Sequence, residues 1–286
     1  PGMEDLLEEL NAQKVPWRER MPECFGGPGL PEEDWDKEDL VVTDSREAAC
    51  SLARQSVCCV GFQPEDETRY FDGVQMVVQS FEGLDEEFFR CILDRYQGKE
   101  IVVGNSDRLV LRESRADDFE ALYQISREKG NERYLDGMTG EKNQERKAYL
   151  AYVQQIYGLY GFGLWTVEER RTGTVVGRCG LSLPSKECDR LRESLEETAE
   201  SGQESCLELG YLIGQKYQRQ GYGLEAAGQA LDYAFRRLDC QAVYAVIHED
   251  NIPSAALAKK LGFSRLGGVV ESGSPLELWR MRAAVN

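Results

Sequence analysis

The sequence predicts an α/β protein with two structured parts, and two observations predict this fold class. Between residues 39 and 104, short apolar runs alternate with helical patterns, which indicates a small parallel α/β domain. From residue 105 to residue 286 the predicted order is β-α-α-β-β-β-turn-α-β-α-β-β, with a hairpin around Arg171-Thr172-Gly173. Residues 1–38 are rich in Pro and Gly and are expected to form an irregular arm.

The elements of the first part follow from apolar runs and from helix-capping residues. Within the arm, residues 3–11 are expected to form a short helix. The small domain is predicted to contain strands at 40–43, 57–62 and 76–78 and helices at 45–55 and 85–96.

The second part is assigned in the same way. Its predicted strands are 108–112, 163–169, 174–181, 206–213, 242–248, 264–269 and 276–282, and its predicted helices are 116–127, 141–157, 222–237 and 252–261. The stretch 184–204 holds seven acidic and three basic residues. This composition favours a solvated helix or a mobile insertion, and a substrate lid is the alternative.

Composition excludes several classes of function. The net charge is −17, and residues 1–105 hold 24 acidic and 10 basic residues, which argues against nucleic-acid binding by the first part. The chain has no apolar run of about 18 residues and no secretory signal, so we expect a cytoplasmic protein that does not enter a membrane. Nine scattered cysteines without a C-x-x-C pair favour reduced thiols over a metal site or disulfides.

The small domain carries one family resemblance. Thr43-Asp44-Ser45 stands where haloacid-dehalogenase-like hydrolases have their late acidic, metal-binding motif, and residues 39–98 resemble the C-terminal half of that family. The chemistry of that family needs a nucleophilic Asp at a strand end and a second Asp two residues later. Asp34-Trp35-Asp36 has the spacing, but no buried strand precedes it. We expect an inactive remnant that serves as a dimerisation or docking surface.

The turn Gln218-Arg219-Gln220-Gly221-Tyr222-Gly223 lies between a predicted strand and a predicted helix. Backbone N–H groups at a helix N-terminus favour a phosphate or pyrophosphate, and glycine lets the backbone approach it. Gly158–Gly163 has similar glycine spacing but precedes a strand, so no anion site is expected there. An ordinary strand–turn–helix connection is the alternative interpretation of the six residues.

Several ordered motifs resemble the Gcn5-related N-acetyltransferase (GNAT) superfamily. Gln218, Gly221 and Gly223 match its pattern Gln/Arg-x-x-Gly-x-Gly/Ala. Asn251-Ile252-Pro253-Ser254, followed by Leu261-Gly262-Phe263, is similar to a signature of the branch with ribosomal-protein and other N-terminal acetyltransferases. The resemblance covers residues 105–284. It implies a mixed, mostly antiparallel sheet that splays between its fourth and fifth strands, with acetyl-CoA as cosubstrate.

The resemblance also implies binding roles. Backbone groups of Leu212 and Ile213 would pair with the pantetheine arm, and the Asn251 side chain would hydrogen-bond it. The pyrophosphate would be held by the N–H groups of Gln218, Arg219, Gln220, Gly221, Tyr222, Gly223 and Leu224.

Acetyl transfer to an amine needs a neutral nucleophile, oxyanion stabilisation and a proton for the thiolate. Glu208 is the candidate base, acting through a water, and a charged residue on an outward strand face is the alternative. Ser254 takes the place nearest to the family's tyrosine acid, where it would hydrogen-bond the sulfur or orient a water. Tyr211 is a further candidate acid, with a half-buried strand aromatic as the alternative. A backbone N–H near Leu212 would stabilise the oxyanion.

The leading hypothesis is an acetyl-CoA-dependent N-acetyltransferase that acts by direct attack in a ternary complex. The acceptor would be a protein N-terminus or a small-molecule amine, and a homodimer is compatible with it. The competing hypothesis is a non-catalytic acyl-CoA-binding protein whose acidic N-terminal domain mediates assembly. Asp136, Glu141 and Glu145 would attract a cationic amine, although a solvated helix face is the commoner explanation of such residues. His248, the one histidine, is expected to be a strand-end residue.

Overall fold

A computed structural model describes residues 2–13, 15–16, 35–64, 71–131, 138, 140–195, 205–271 and 274–283. The chain divides into two compact units, residues 1–101 and 102–286. Asp34 and Asp136 lie outside the described residues, so the Asp34-Trp35-Asp36 motif and the Asp136 proposal have no structural counterpart here.

The first unit contains a three-stranded parallel sheet in the order β1-β2-β3. The central strand is an apolar run whose Cys58 and Val60 pack on one face while Cys59 packs on the other. Its elements are α1 (Met3–Ala12), β1 (Leu40–Thr43), α2 (Arg46–Arg54), β2 (Cys58–Phe62), β3 (Met76–Val78) and α3 (Glu86–Tyr96). The predicted small parallel α/β segment is therefore confirmed.

The second unit is built on an eight-stranded sheet in the order β10-β11-β9-β8-β7-β6-β5-β4. Its strands are β4 (Val102–Asn105), β5 (Leu109–Arg112), β6 (Leu164–Glu169), β7 (Thr174–Ser182), β8 (Cys206–Ile213), β9 (Ala242–His248), β10 (Ser264–Glu271) and β11 (Ser274–Arg282). Its helices are α4 (Phe119–Ser126), α5 (Lys142–Tyr160), α6 (Lys186–Ser194), α7 (Tyr222–Arg236) and α8 (Ile252–Leu261). Among the described helices, none has the length and apolarity that a membrane span requires.

The neighbouring strands of this sheet are antiparallel except for β8 and β9. These two parallel strands pair only from Cys206 with Ala242 to Glu208 with Tyr244. Beyond that point, Leu209–Ile213 has no partner on the β9 side among the described strands. The mixed, mostly antiparallel sheet and its splay between β8 and β9, the fourth and fifth strands of the family pattern, are therefore confirmed.

Helix α7 packs on one face of the sheet. Its residues Ala226, Ala227 and Ala230 are fully buried against a core that includes Trp165 and Val243. Small side chains let the helix lie close to the strands, and the i, i+4 spacing of Ala226 and Ala230 makes one apolar stripe. Because this stripe fixes the helix, it also fixes the position of the turn that precedes the helix.

Two elements differ from the sequence-based expectation. Strand β4 is not among the predicted strands, and it contains Gly104, where a Cβ would lie 2.4 Å from the Gln229 side chain. Residues 186–194 form helix α6, whose Cys188 and Leu191 are fully buried against Tyr244. The expected helix is therefore present in this part of the insertion, but one side of it is buried and not solvated, because two apolar residues three apart face the sheet.

Candidate active site

The turn between β8 and α7 contains two residues with positive φ. Arg219 has φ 60° and Gly221 has φ 87°, both in the left-handed region, where glycine is tolerated best. Helix α7 begins immediately afterwards, at Tyr222. By contrast, Gly161 ends helix α5, and strand β6 follows it at Leu164. The second glycine-rich stretch is therefore followed by a strand, as expected.

The backbone N–H groups from Arg219 to Leu224 are available to a ligand. In the part of the chain that the structure describes, none of them donates to a protein acceptor, whereas the N–H of Glu225 donates to the Gly221 carbonyl. Unpaired N–H groups at a helix N-terminus form an anion site together with the helix dipole. This stretch has the donor set that a pyrophosphate requires.

Gln218 has a different role from the expected one. Its N–H donates to the Gln215 carbonyl at 3.2 Å, so it does not belong to the free set. Its side-chain Nε2 donates to the Ile213 carbonyl at 2.9 Å and to Asn131 Oδ1 at 3.1 Å. Gln218 therefore fastens the turn to the end of β8, and the row of free donors begins at Arg219.

Arg108, which the sequence analysis did not select as a site residue, supports the turn from outside. Its Nη1 donates to the Gln220 carbonyl at 2.9 Å, its Nε donates to Glu225 Oε2 at 2.8 Å, and its guanidinium lies 4.6 Å from the Tyr222 ring centre. Burial acts to raise the pKa of Glu225, but hydrogen bonds from Ser106 and Arg108 lower it overall. The positive charge of Arg108 offsets the negative charge of Glu225, which would otherwise repel an anion at the turn.

Strand register corrects the assignment of Leu212. Gly214 donates its N–H to the Val176 carbonyl at 2.9 Å, and Leu212 lies opposite Arg178. Hydrogen-bonded pairs alternate along an antiparallel ladder, so the N–H and C=O groups of Leu212 face β7. Those of Tyr211 and Ile213 face the gap beside β9. The arm and the oxyanion would therefore find their backbone partners at these two residues.

Tyr211 and Ser254 lie side by side. In the described structure the Tyr211 hydroxyl is buried and has no hydrogen-bond partner of good geometry. Burial raises the pKa of Tyr211 to about 12, and the nearby Ser254 hydroxyl acts to lower it. Asn251 caps helix α8 by accepting the Ser254 N–H at 3.3 Å, which uses its side-chain oxygen and leaves its NH₂ group for a ligand.

Glu208 lies on the opposite face of β8 from Tyr211, because side chains alternate along a strand. Its Oε2 accepts the N–H of Ser185, the N-cap residue of α6, at 2.8 Å. The pKa of Glu208 is raised by burial and by the nearby Glu187 and Asp189, although hydrogen bonds from Ser185 act to lower it. A partly buried carboxyl with a raised pKa is suited to accepting a proton near neutral pH.

The remaining acidic candidates have local structural roles. Glu141 caps α5 by accepting the N–H groups of Asn143 and Gln144. Glu145 accepts the N–H groups of Met138 and Gly140. Attraction of a cationic amine is therefore not their main role. His248 ends β9, and its Nδ1 accepts the N–H of Asp250 at 3.2 Å, as expected of a strand-end residue.

The fold, the splayed strands and the free donor row are together typical of one class of enzyme. The family model for the acetyltransferase (GNAT) domain matches residues 108–264, more than half of the chain. The chain therefore belongs to the GNAT acetyltransferase family, as the motifs implied.

Individual relatives add detail. The uncharacterised protein YkkB of Bacillus subtilis (strain 168) is 25% identical over 150 residues, covering 52% of this chain and 77% of its own length. The uncharacterised N-acetyltransferase YoaA of the same organism is 26% identical over 166 residues, covering 57% and 82%. RimL, a ribosomal L7/L12 α-N-protein acetyltransferase solved with coenzyme A, is 16% identical with a TM-score of 0.51, covering 65% of this chain and 99% of its own. That likeness shows the fold alone.

Proposed function

We propose that this protein transfers an acetyl group from acetyl-CoA to a primary amine. The observation that carries the proposal is the row of free N–H groups from Arg219 to Leu224, at the N-terminus of α7 and beside the gap between β8 and β9. Membership of the GNAT family supports it independently. The motif Asn251–Ser254 favours the branch of ribosomal-protein and N-terminal acetyltransferases, so a protein N-terminus and a small amine are the two acceptor types.

The residues of the cleft fit the cosubstrate. The donor row would hold the pyrophosphate, the backbone of Tyr211 and Ile213 would pair with the pantetheine arm, and the Asn251 amide would donate to it. Gly223 lets helix α8 pack closely against the turn, because a Cβ there would lie 3.0 Å from Leu257 Cδ1. When bound, acetyl-CoA supplies an acetyl group activated as a thioester.

Side chains of this protein then accept the proton of the amine and donate a proton to the leaving group. Glu208 accepts, through a water, the proton that the amine loses, and its raised pKa suits this task near neutral pH. On the other face of β8, Tyr211 and Ser254 hold a proton for the leaving group. An N–H of Tyr211 or Ile213 stabilises negative charge that develops on the carbonyl oxygen. No covalent bond to the protein is required, so attack takes place directly in a ternary complex.

Substitution of Gly221 by Asp or Asn tests the anion site. Both residues tolerate the left-handed backbone, and they have nearly the same size, so they differ mainly in charge. We expect Gly221→Asp to weaken acetyl-CoA binding at least tenfold more than Gly221→Asn, as measured by isothermal titration calorimetry. Equal affinities of the two variants would place the pyrophosphate elsewhere.

Formation of an acetylated product distinguishes an acetyltransferase from a non-catalytic acyl-CoA-binding protein. The wild-type protein is incubated with acetyl-CoA and a panel of peptides and small amines, and products are identified by mass spectrometry. We expect acetylated product from at least one amine. Acetyl-CoA binding without product from any acceptor would favour the competing hypothesis, in which the chain is an acyl-CoA-binding protein and the acidic first unit mediates assembly.

A further inference from the structure

The loop that follows helix α4, residues 127–131, lies next to the end of β8. Ile125, in the last turn of α4, packs against Gly214, where a Cβ would lie 3.4 Å from Ile125 Cγ1. Gly214 directly follows β8 and leads into the turn that holds the free N–H groups. The segment 127–131, called the α4 loop below, therefore begins beside the segment that leads from β8 into this turn.

Three hydrogen bonds join the α4 loop to the segment between β8 and α7. Glu128 Oε2 accepts the N–H of Gln215 at 2.6 Å, and the Lys129 carbonyl accepts from Gln215 Nε2. Asn131 Oδ1 accepts from Gln218 Nε2 at 3.1 Å. Gln218 and Asn131 are 87 positions apart in the sequence, so this contact joins two separate parts of the fold.

The side-chain amide of Gln218 serves two acceptors. Its NH₂ group donates to the Ile213 carbonyl at 2.9 Å and to Asn131 Oδ1, so both of its hydrogens are used. Asn131 is buried, and its Nδ2 donates to the Ile125 carbonyl at 2.9 Å. A chain of hydrogen bonds thus runs from the end of β8 through Gln218 and Asn131 to the last turn of α4. Each break in it would leave a polar group without a partner away from water, which favours one fixed arrangement.

Helices α4 and α5 lie on the face of the sheet that carries the candidate base. The two helices pack on each other. Burial lowers the pKa of Arg178 on β7, and the nearby Tyr152 and Tyr149 of α5 act to raise it, so the Arg178 side chain points toward α5. Arg178 is directly opposite Leu212, and Leu212 and Glu208 are four apart on β8, so all three share this face. An amine that loses its proton to Glu208 approaches from the side of α4 and α5.

The chain of hydrogen bonds also begins at the position of the cosubstrate. The reacting carbonyl would lie at the N–H of Tyr211 or Ile213, and Ile213 is the residue whose carbonyl Gln218 binds. The row of free donors for the pyrophosphate begins at Arg219, the residue after Gln218. Gln218 therefore stands between the cosubstrate and a loop on the face from which the amine approaches.

We propose that the α4 loop contacts the acceptor and that the Gln218–Asn131 bridge couples acceptor binding to acetyl-CoA binding. This inference rests on the proposed acetyl transfer, since it concerns the acceptor side of the same site. A pyrophosphate on the turn fixes Gln218, which fixes Asn131 and with it the loop. Coupling between two ligands is reciprocal and typically amounts to about 5- to 150-fold in affinity. Gln218 and Asn131 act through the loop, so both are positioning residues.

Hydrogen–deuterium exchange of the full-length protein with and without CoA tests the bridge without an acceptor. The N–H groups of Arg127, Glu128 and Asn131 are hydrogen-bonded within the end of α4 and the loop, so their exchange measures opening of this segment. We expect saturating CoA to slow their exchange at least fivefold in the wild type. In Asn131→Ala this effect should disappear, while the affinity for CoA stays within about twofold of the wild type, because the bond from Gln218 to Ile213 remains.

Further variants separate the bridge from local packing. Asn131→Asp keeps an oxygen for Gln218 but loses the donor to the Ile125 carbonyl, so it should retain the CoA effect even where the loop exchanges faster. Gln218→Met has no donor and should abolish the effect at saturating CoA. Gln218→Arg keeps donors and should restore it. Lys129→Ala, an exposed position in the same loop, is the control that should behave like the wild type.

Kinetics give a second readout with the amine that the product screen identifies. Asn131→Ala should raise the KM of that amine at least fivefold, whereas kcat and the KM of acetyl-CoA should change by less than about twofold. A purely structural role for Asn131 would lower the melting temperature of the variant and leave the effect of CoA on exchange in place.

The outcomes separate the bridge from acetyl transfer itself. If CoA binds the wild type without slowing exchange in the α4 loop, or if Asn131→Ala responds to CoA as the wild type does, the bridge proposal is wrong while acetyl transfer stands. An unchanged acceptor KM in Asn131→Ala would overturn it as well. If CoA does not bind at all, the proposed function fails, and the inference that rests on it fails with it.

Discussion

At the scale of single residues, the candidate base is the most informative side chain. Glu208 is partly buried, it accepts a hydrogen bond from Ser185, and it lies near two other carboxylates, Glu187 and Asp189. Burial and these charges both disfavour its ionised form, which is why its pKa is raised above the ordinary 4.5. The proton acceptor is therefore tuned by its surroundings as well as by its position on β8.

We expect this pKa to appear in the pH dependence of turnover. Glu208 accepts protons only when ionised, so kcat/KM should rise with pH through the pKa of Glu208 and then level off. Glu208→Gln should lower kcat/KM by about 10²- to 10⁴-fold and abolish this rise with pH, the ascending limb of the profile. The measurement is a pH profile at saturating acetyl-CoA.

Glu187→Gln is the matched control for that experiment. It removes a charge that raises the pKa of Glu208 without touching the carboxylate itself. The ascending limb should move to lower pH while the plateau stays unchanged. If Glu208→Gln retains both the wild-type rate and the limb, another group is the base.

Among the secondary-structure elements, the strand and the helix next to the site could be predicted, because the sequence patterns that indicate them lie within the elements themselves. β8 was predicted at 206–213 and is Cys206–Ile213, and α7 was predicted at 222–237 and is Tyr222–Arg236. Apolar alternation, a glycine turn and an alanine stripe all lie within thirty or so residues of each other. The free N–H row follows directly from these three signals.

The remaining site features depend on contacts between distant segments. Arg108 supports a turn that begins more than 100 positions later, and no local pattern pairs it with Gln220 or Glu225. Leu212 was expected to face the arm, but the direction of its backbone groups depends on the register with β7.

Helix α6 offers a direct test at this scale. Leu191 is fully buried against Tyr244 and Leu278, whereas Glu193 on the same helix is exposed. We expect Leu191→Ala to destabilise the second unit by about 2 to 5 kcal/mol, because it removes buried surface and leaves a cavity. Glu193→Ala, the control, should change the stability by less than about 0.5 kcal/mol. Denaturant unfolding measures both, and equal small effects would mean that α6 is not packed on the sheet in solution.

At the scale of the whole molecule, the two units differ in sheet type and in charge. The first unit has a parallel sheet, and the acidic excess of residues 1–105 is 14 charges, while that of residues 106–286 is 3. The second unit carries the GNAT family match. We propose that the first unit is non-catalytic and serves docking or homodimerisation, since its sequence lacks the strand-end pair of Asp residues that haloacid-dehalogenase-type chemistry needs.

Differential scanning calorimetry of the full-length protein with and without acetyl-CoA tests whether only the second unit binds the cosubstrate. A ligand stabilises only the unit that binds it. At a free ligand concentration of about 100 times Kd, the free energy of unfolding of that unit rises by roughly 2.7 kcal/mol. For a unit of this size, that gain corresponds to a rise of about 5 to 10 °C in the melting temperature. We expect two thermal transitions, of which only the one assigned to residues 102–286 rises with acetyl-CoA. The Leu191→Ala variant identifies this transition, because it lowers the same one. A rise of the other transition, or of both, would show that the first unit takes part in binding, since linkage allows a ligand to stabilise only what it contacts or couples to.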